Sequence, residues 1–246
     1  MLHVEAGLRS FNRHQPEEQN RVLTDHLADL CFAPTDTAVA HLKREGIAEE
    51  RIMRCGDVMA DAARLFGEQA EKQAAELLAP LKLPPGPFIL ATIHRAENTD
   101  DPARLKAILT ALGQAPLPVL LPLHPRTRAR IAEQGLEALL RGLTPCEPLG
   151  FLTMVLLERR AALVVTDSGG VQKEAFLQGT PCATVRTETE WVELLECGWN
   201  RLADPTDPEA MLTAIAQQLA LDASQPRPPL YGDGHAAEAI VAHLIS

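Results

Sequence analysis

The chain has 246 residues, enough for one large domain or two small ones, and 46% of them are apolar, which excludes a disordered protein. Its net charge of −10, from 23 Lys and Arg against 33 Asp and Glu, comes with no basic block, so non-specific nucleic-acid binding is excluded and any phosphate has to be met locally. The five cysteines, Cys31, Cys55, Cys146, Cys182 and Cys197, are odd in number, widely spaced and free of CxxC pairs, which argues against a disulfide framework and a zinc site and predicts a reducing, cytoplasmic setting. No secretory leader pattern is present, and no apolar run approaches the roughly 20 residues that span a bilayer.

In chain order, Met1 to Glu5 reads as the end of a buried strand with almost no lead-in. A polar loop with Arg9, Arg13 and His14 follows, and Pro16-Glu17-Glu18 suits the first turn of a helix that Val22, Leu23, Leu27 and Leu30 continue. Leu30 to Ala33 reads as a short strand closed by Pro34. Thr35 or Asp36 caps a helix from Ala38 to Glu45 that stops at Gly46, and Arg51 to Cys55 is another strand. From Val58 to about Ala79 the pattern is one helix, ended by Leu83-Pro84-Pro85-Gly86-Pro87. Strand and helix then alternate: Phe88 to Ile93, a helix around Arg104 to Leu112, Val119 to Leu123, a helix Thr127 to Leu140, and a segment Phe151 to Arg159. After Ala161 to Gly179 come Pro181 to Val185, Glu190 to Glu196, a helix Pro208 to Leu221 and a last helix Ala236 to Leu244. Such alternation predicts an α/β chain with a parallel, doubly wound sheet.

The stretch AALVVTDSGGVQKEAFLQG, Ala161 to Gly179, is the most informative. A strand through Leu163-Val164-Val165 stops at Asp167-Ser168-Gly169-Gly170 and gives way to a helix. Free N–H groups and the positive end of a helix dipole there make a phosphate or pyrophosphate site. The competing reading is that Asp167 or Ser168 merely caps the helix and the glycines merely turn the chain. Ligands of parallel sheets bind beyond the carboxyl ends of the strands, where this chain places His94-Arg95, His124 and Arg126, Asp167 to Gly170, and Arg186. Four strand ends bearing cations or donors in an acidic chain predict an anionic, phosphate-bearing ligand; taken singly, each cation is equally an ordinary surface ion pair.

Seven motifs occur in order along the chain: HVEAGLRS from His3, PEEQNR from Pro16, GDVMADA from Gly56, TIHRAEN from Thr92, LHPR from Leu123, TDSGGVQKEA from Thr166 and YGDGHA from Tyr231. Together they resemble the non-hydrolysing UDP-N-acetylglucosamine 2-epimerases. The resemblance implies two Rossmann-like lobes of the glycosyltransferase-B type, a UDP-sugar partner, no cofactor, no metal and a homodimer. It also implies a reaction in which UDP leaves C1 as a proton leaves C2, then adds back with C2 inverted. That chemistry needs a base, an acid on the other face and a stabilised leaving group.

By the same resemblance Glu5 and Glu17 match the catalytic carboxylates, His94 the catalytic or phosphate-binding histidine, and Ser168, Gly169 and Gly170 the diphosphate loop. Glu174 matches the ribose-binding acid, and Arg186 and Glu190 the sugar- and nucleotide-side contacts; Arg95, His124 and Arg126 join the substrate set. From the residues alone, Glu17 is a helix first-turn acid and Glu5 a buried oddity at a strand end.

Two departures bear on the reading. The family opens with a Gly-Thr-Arg-Pro-Glu loop and later carries a His-Gly-Asp-Thr segment with a catalytic aspartate, and neither is in this sequence, so the N-terminal lobe is expected to be incomplete. Residues 1–57 are then a remnant of that lobe, 58–82 a connecting helix, 83–225 the UDP-binding lobe and 226–246 a closing loop and helix. The family's Glu-Arg-Pro-Glu run is replaced by Glu190-Trp191-Val192-Glu193, which looks like the subgroup acting on UDP-2,3-diacetamido-2,3-dideoxyglucuronate. Trp191 and Trp199 are alternatively core residues.

Overall fold

The computed structural model describes residues 1–83 and 85–245, so Pro84 of the predicted boundary lies outside the described residues. The chain divides into two compact units, Met1–Leu65 with Arg227–Ser246, and Phe66–Pro226.

The first unit opens with β1 (Leu2–Val4), α1 (Pro16–Leu27), β2 (Leu30–Ala33), α2 (Asp36–Arg44), β3 (Ile52–Arg54) and the start of α3 (Val58–Lys72). The strands pair in parallel in the order β1-β2-β3. Local chemistry accounts for the boundaries. Pro16 opens α1 with Glu17 and Glu18 in its first turn, the Thr35 hydroxyl accepts from Ala38 N at 3.1 Å, and Gly46 ends α2 at φ 83°. The expected buried first strand is corrected: β1 lies at the edge of its sheet, and Leu2 and Val4 are 47% and 39% exposed. Glu5 is half-buried and lies beyond the strand, in a turn where its φ is 68°. A non-glycine residue rarely holds that conformation unless its surroundings impose it.

The turn is fixed by buried charge. The Asp25 carboxylate, fully buried on α1, accepts from Gly7 N at 3.1 Å, lies 2.7 Å from Arg9 Nη1 and meets His3 Nδ1 at 2.6 Å. Arg9, also buried, donates through Nε and Nη2 to both oxygens of Glu45 at 2.7 and 2.6 Å. At the far end of the loop, the buried Glu18 carboxylate accepts from Ser10 N and Phe11 N at 2.8 and 3.0 Å. Gly7 (φ 83°) packs so closely that an added Cβ would lie 2.4 Å from the Ala38 carbonyl oxygen.

The second unit contains α4 (Ala74–Leu78), β4 (Ile89–Thr92), α5 (Ala96–Thr99), α6 (Pro102–Gly113), β5 (Val119–Pro122), α7 (Pro125–Glu133) and β6 (Thr144–Cys146). It continues with α8 (Phe151–Arg160), β7 (Leu163–Thr166), α9 (Gly169–Gln178), β8 (Cys182–Thr184), α10 (Val192–Glu196), β9 (Asn200–Leu202) and α11 (Pro208–Leu219). Its six strands are parallel in the order β6-β5-β4-β7-β8-β9, so strand order reverses between β4 and β7. Alternate side chains point to opposite faces. Ile89 and Ala91 pack with Leu105, Ile108, Met211 and Ile215 of α6 and α11, while Leu90 packs with Leu157 and Ala175 of α8 and α9.

Two expectations are corrected here. The helix predicted from Val58 to Ala79 is broken at Gln73, which turns Leu77 and Leu78 onto Val155 and Leu156 of α8. The helix predicted to Leu140 ends at Glu133, because Gly135 takes φ 66°, and a 3-10 turn follows at Glu137–Gly142. The strands β6 and β9, three residues each and at the sheet edges, and the single turn α5 carry too little pattern to be read locally.

The last helix, α12 (Ala236–Ile245), returns to the first unit. Asp61 of α3 accepts from Ala236 N and Ala237 N at 2.9 and 2.8 Å, and Asp57 N donates to the Tyr231 carbonyl at 2.9 Å. The GDVMADA and YGDGHA motifs are thus two halves of one helix cap. No described helix is long and apolar enough to cross a membrane.

Burial alone would raise the Asp25 pKa, but its bonds to His3, Arg9 and Gly7 outweigh that and hold the carboxyl below the ordinary aspartate range. It therefore stabilises the first unit above that range, and the stabilisation is lost as pH falls through the lowered folded value. Asp25→Ala leaves Arg9 with an uncompensated share of buried charge, and is expected to lower the stability of this unit by about 3 kcal/mol near neutral pH. Urea denaturation followed by circular dichroism should show that difference shrinking as pH falls toward 3, and a constant difference would contradict the assignment.

Candidate functional site

Because all six strands of the second unit point the same way, the chain leaves β5, β4, β7 and β8 side by side along one sheet edge. The residues predicted at four strand ends are therefore neighbours in the fold, centred on the reversal between β4 and β7. That crevice is where ligands bind in doubly wound sheets.

At the β7 exit, Ser168 is the N-cap of α9 and its hydroxyl accepts from Val171 N at 3.4 Å. The capping reading of Ser168 is correct as far as it goes. It does not use the first N–H groups of the helix, at Gly169 and Gly170, which have no intrahelical acceptor and mark a ten-residue helix with its positive end at this edge. An added Cβ on Gly169 would lie 2.4 Å from Glu190 Oε1, so the loop closes only with glycine there. Glu174 is on the second turn of α9, and desolvation pushes its carboxyl above the usual range despite the neighbouring Lys173.

At the β8 exit, Arg186 is 3% exposed and donates from Nη1 to Glu190 Oε2 at 2.9 Å. Its Nε and Nη2 are buried and have no hydrogen-bond partner among the described residues. Buried guanidinium donors are costly unless something accepts from them, and a phosphate oxygen or sugar hydroxyl is the matching chemistry. Beneath this loop lies a buried polar network, in which Gln172 Oε1 accepts from Thr189 Oγ1 at 2.7 Å and from Asn200 Nδ2 at 2.9 Å. Trp191, 3% exposed, donates from Nε1 to the Gly169 carbonyl at 2.9 Å, and Lys173 Nζ sits 4.0 Å from its ring centroid. Trp191 is thus a core residue and also the hook that holds the β8 loop to the glycine turn. Trp199 is buried edge-on to Phe176.

At the β4 exit, His94 is exposed and Arg95 half-buried. Their main chain is bound by the fully buried Asp167, which accepts from both His94 N, at 3.1 Å, and Arg95 N, at 2.9 Å. At the β5 exit, the His124 ring lies 6.4 Å from that of His94 and its Nδ1 accepts from Arg126 N at 3.2 Å. Arg126 turns to Asp100 at 2.6 Å, an exposed ion pair shared with Arg130. The surface-pair reading describes Arg126 better than any other member of the set.

A cavity of about 200 Å³ adjoins these exits, lined by His94, His124, Pro148, Leu149 and Val171 among others. Pro148 and Leu149 follow β6, the strand too short to be read from sequence, and so were not legible as site residues. Glu5 and Glu17 lie in the other unit. Glu5 holds the strained turn described above, and Glu17 is exposed in the first turn of α1. Burial pushes the thiols of Cys55 and Cys182 up to about 11 and about 12, which makes both poor nucleophiles.

The family model for UDP-N-acetylglucosamine 2-epimerase matches residues 1–245. The chain is similar to UDP-2,3-diacetamido-2,3-dideoxy-D-glucuronate 2-epimerase of Pseudomonas aeruginosa, 46% identical over 99% of this chain and 67% of that protein. It is 38% identical to a UDP-N-acetylglucosamine 2-epimerase of Methanocaldococcus jannaschii, over 99% of this chain and 68% of that one. Its backbone is similar to the crystal structure of the M. jannaschii UDP-GlcNAc 2-epimerase in complex with UDP-GlcNAc and UDP, with a TM-score of 0.90 at 37% identity, covering 99% of this chain and 68% of that chain. The Neisseria meningitidis UDP-GlcNAc 2-epimerase bound to UDP-GlcNAc gives 0.87 at 28% identity, over 99% and 69%. The chain spans about two thirds of the length of these relatives. With parallel sheets flanked by helices and these neighbours, the fold is α/β of the glycosyltransferase-B type, and the chain belongs to the UDP-N-acetylglucosamine 2-epimerase family.

Proposed function

We propose that this chain binds a UDP-N-acetylglucosamine-type sugar and inverts its C2 by elimination and re-addition of UDP. The observation that carries the reading is that the N-terminus of α9 and Arg186, whose Nε and Nη2 have no partner among the described residues, follow neighbouring strands at one edge of the sheet. Support also comes from relatives whose structures hold UDP-GlcNAc. In this reading Ser168, Gly169 and Gly170 hold the diphosphate, Glu174 the ribose hydroxyls, and Arg186 with Glu190 the hexose side of the phosphate. Arg95, His124 and, on leaving its Asp100 ion pair, Arg126 complete the polar edge, and Pro148, Leu149 and Val171 offer an apolar slot for the uracil ring. The cavity of about 200 Å³ accommodates a single pyrimidine.

The reaction breaks the C2–H and C1–O bonds and forms a C1–C2 double bond, with the electron pair leaving on UDP. A base takes the C2 proton and an acid returns one to the opposite face as UDP adds back. We assign this proton chemistry to Glu5, Glu17 and His94. Carboxylates and an imidazole are side chains that serve as general base and acid, and the positive-φ turn at Glu5 is typical of a functional side chain held in place. The identity to the P. aeruginosa enzyme and the Glu190-Trp191 variant favour a UDP-diacetamido-uronate substrate over UDP-GlcNAc. A cytoplasmic homodimer serving polysaccharide synthesis completes the proposal, and light scattering tests its dimeric part.

Titration calorimetry should show UDP binding to the chain, lowered about tenfold or more by Gly169→Ala, because the added methyl collides with Glu190 and opens the loop. Equal affinity in the variant would remove the glycine loop from the site. Incubation with each UDP-sugar in deuterium oxide should place deuterium at C2, and Glu5→Gln and Glu17→Gln should each slow this by about 10²–10⁴-fold. UDP binding without exchange would leave the chain a nucleotide-sugar binder and sink the epimerase reading.

A further inference from the structure

We infer that Asp167 and Asn98 are positioning residues that fasten the loop after β4 to the diphosphate-facing loop after β7, so that His94 and the α9 N-terminus meet a diphosphate as one element. The inference rests on the diphosphate reading of the loop from Thr166 to Gly170.

Asp167 is fully buried and gathers its donors from the segment after β4: His94 N at 3.1 Å to each oxygen, Arg95 N at 2.9 Å and Asn98 Nδ2 at 3.1 Å. Its own N–H donates back to the Thr92 carbonyl at 3.2 Å. His94 Nδ1 lies 3.2 Å from Asp167 Oδ1, which leaves Nε2 as the nitrogen available to a ligand. Asn98, 1% exposed, also donates from Nδ2 to the Val185 carbonyl at 3.2 Å, reaching the residue before Arg186. The exits of β4, β7 and β8 therefore share two side chains. Asn98 Oδ1 has no partner among the described residues. Turning the amide over would set that oxygen against the Asp167 carboxylate and the Val185 carbonyl, so the orphaned acceptor accompanies the only orientation that ties all three loops.

The charge of Asp167 separates positioning from attraction. A buried carboxylate one residue from a diphosphate repels it, so if Asp167 acted only through its field, neutralising it would tighten UDP binding. A positioning role demands the opposite. The amide of an asparagine would face the N–H donors of His94, Arg95 and Asn98, and the loop would be released.

The experiment compares UDP with UMP, which lacks the second phosphate, by calorimetry on the whole chain. Wild-type protein that fails to bind UDP overturns the diphosphate reading itself, before any variant is made. Given wild-type binding, Asp167→Asn and Asn98→Ala are expected to weaken UDP about tenfold or more while weakening UMP less than about threefold. Unchanged or tighter UDP binding overturns the inference, and so does an equal loss for both nucleotides, the mark of a general structural role. If Asp167→Asn does not fold, Asn98→Ala carries the comparison. In the wild-type protein, rapid exchange of the His94 and Arg95 amide protons would independently overturn it.

Discussion

The register of β4 on β7 is the constraint on which the larger unit depends. Ile89 pairs with Leu163 and Thr92 with Thr166, and the ladder ends in a hydroxyl contact of 2.6 Å between the two threonines. From that point the chain departs in opposite directions, to β5 and β6 on one side and to β8 and β9 on the other. A slip by one residue would turn every apolar side chain to the wrong face and separate Asp167 from the main chain of His94 and Arg95. Core packing and site geometry are therefore set by the same pairing.

Burial of polar groups is concentrated where loops have to hold a shape. The second unit places Asp167, Asn98, Gln172, Thr184 and Arg186 beneath its ligand edge, all nearly inaccessible. Most of their atoms are matched by main-chain or side-chain partners, as buried polar groups require. The exceptions, on Arg186 and Asn98, fall at the exits of the central strands. The first unit uses the same device with formal charge, the His3, Asp25, Arg9 and Glu45 chain, to hold a turn that its sequence alone would not adopt. Such networks stabilise little beyond what their desolvation costs, but removal of one member is expensive, and that makes them suited to fixing one geometry.

Glu190-Trp191 illustrates how a departure from a family pattern can be structural and still touch the site. Trp191 is buried and packs on Lys173, yet its indole N–H reaches the carbonyl of Gly169. Glu190 approaches the same glycine so closely that no side chain fits there. One dipeptide thus couples the β8 loop to the glycine turn from both sides.

Local chemistry in the sequence determined the helix starts at Pro16 and Pro208, the cap at Thr35, the stop at Gly46, and the strand-loop-helix at Thr166 to Gly179, because caps, prolines and glycines act on their immediate neighbours. It also determined which strand ends carry His94, His124, Ser168 and Arg186, since parallel alternation sends those residues to one edge whatever the order of the strands. Tertiary structure alone decided that order, the short edge strands at Thr144–Cys146 and Asn200–Leu202, and the break at Gln73, which answers to the surface of α8 rather than to any local signal. It likewise decided the roles of Asp167 and Asn98, 69 residues apart in sequence and joined by one hydrogen bond. A hydrogen bond between distant residues leaves no period and no spacing in the chain, so only the folded register brings donor and acceptor together.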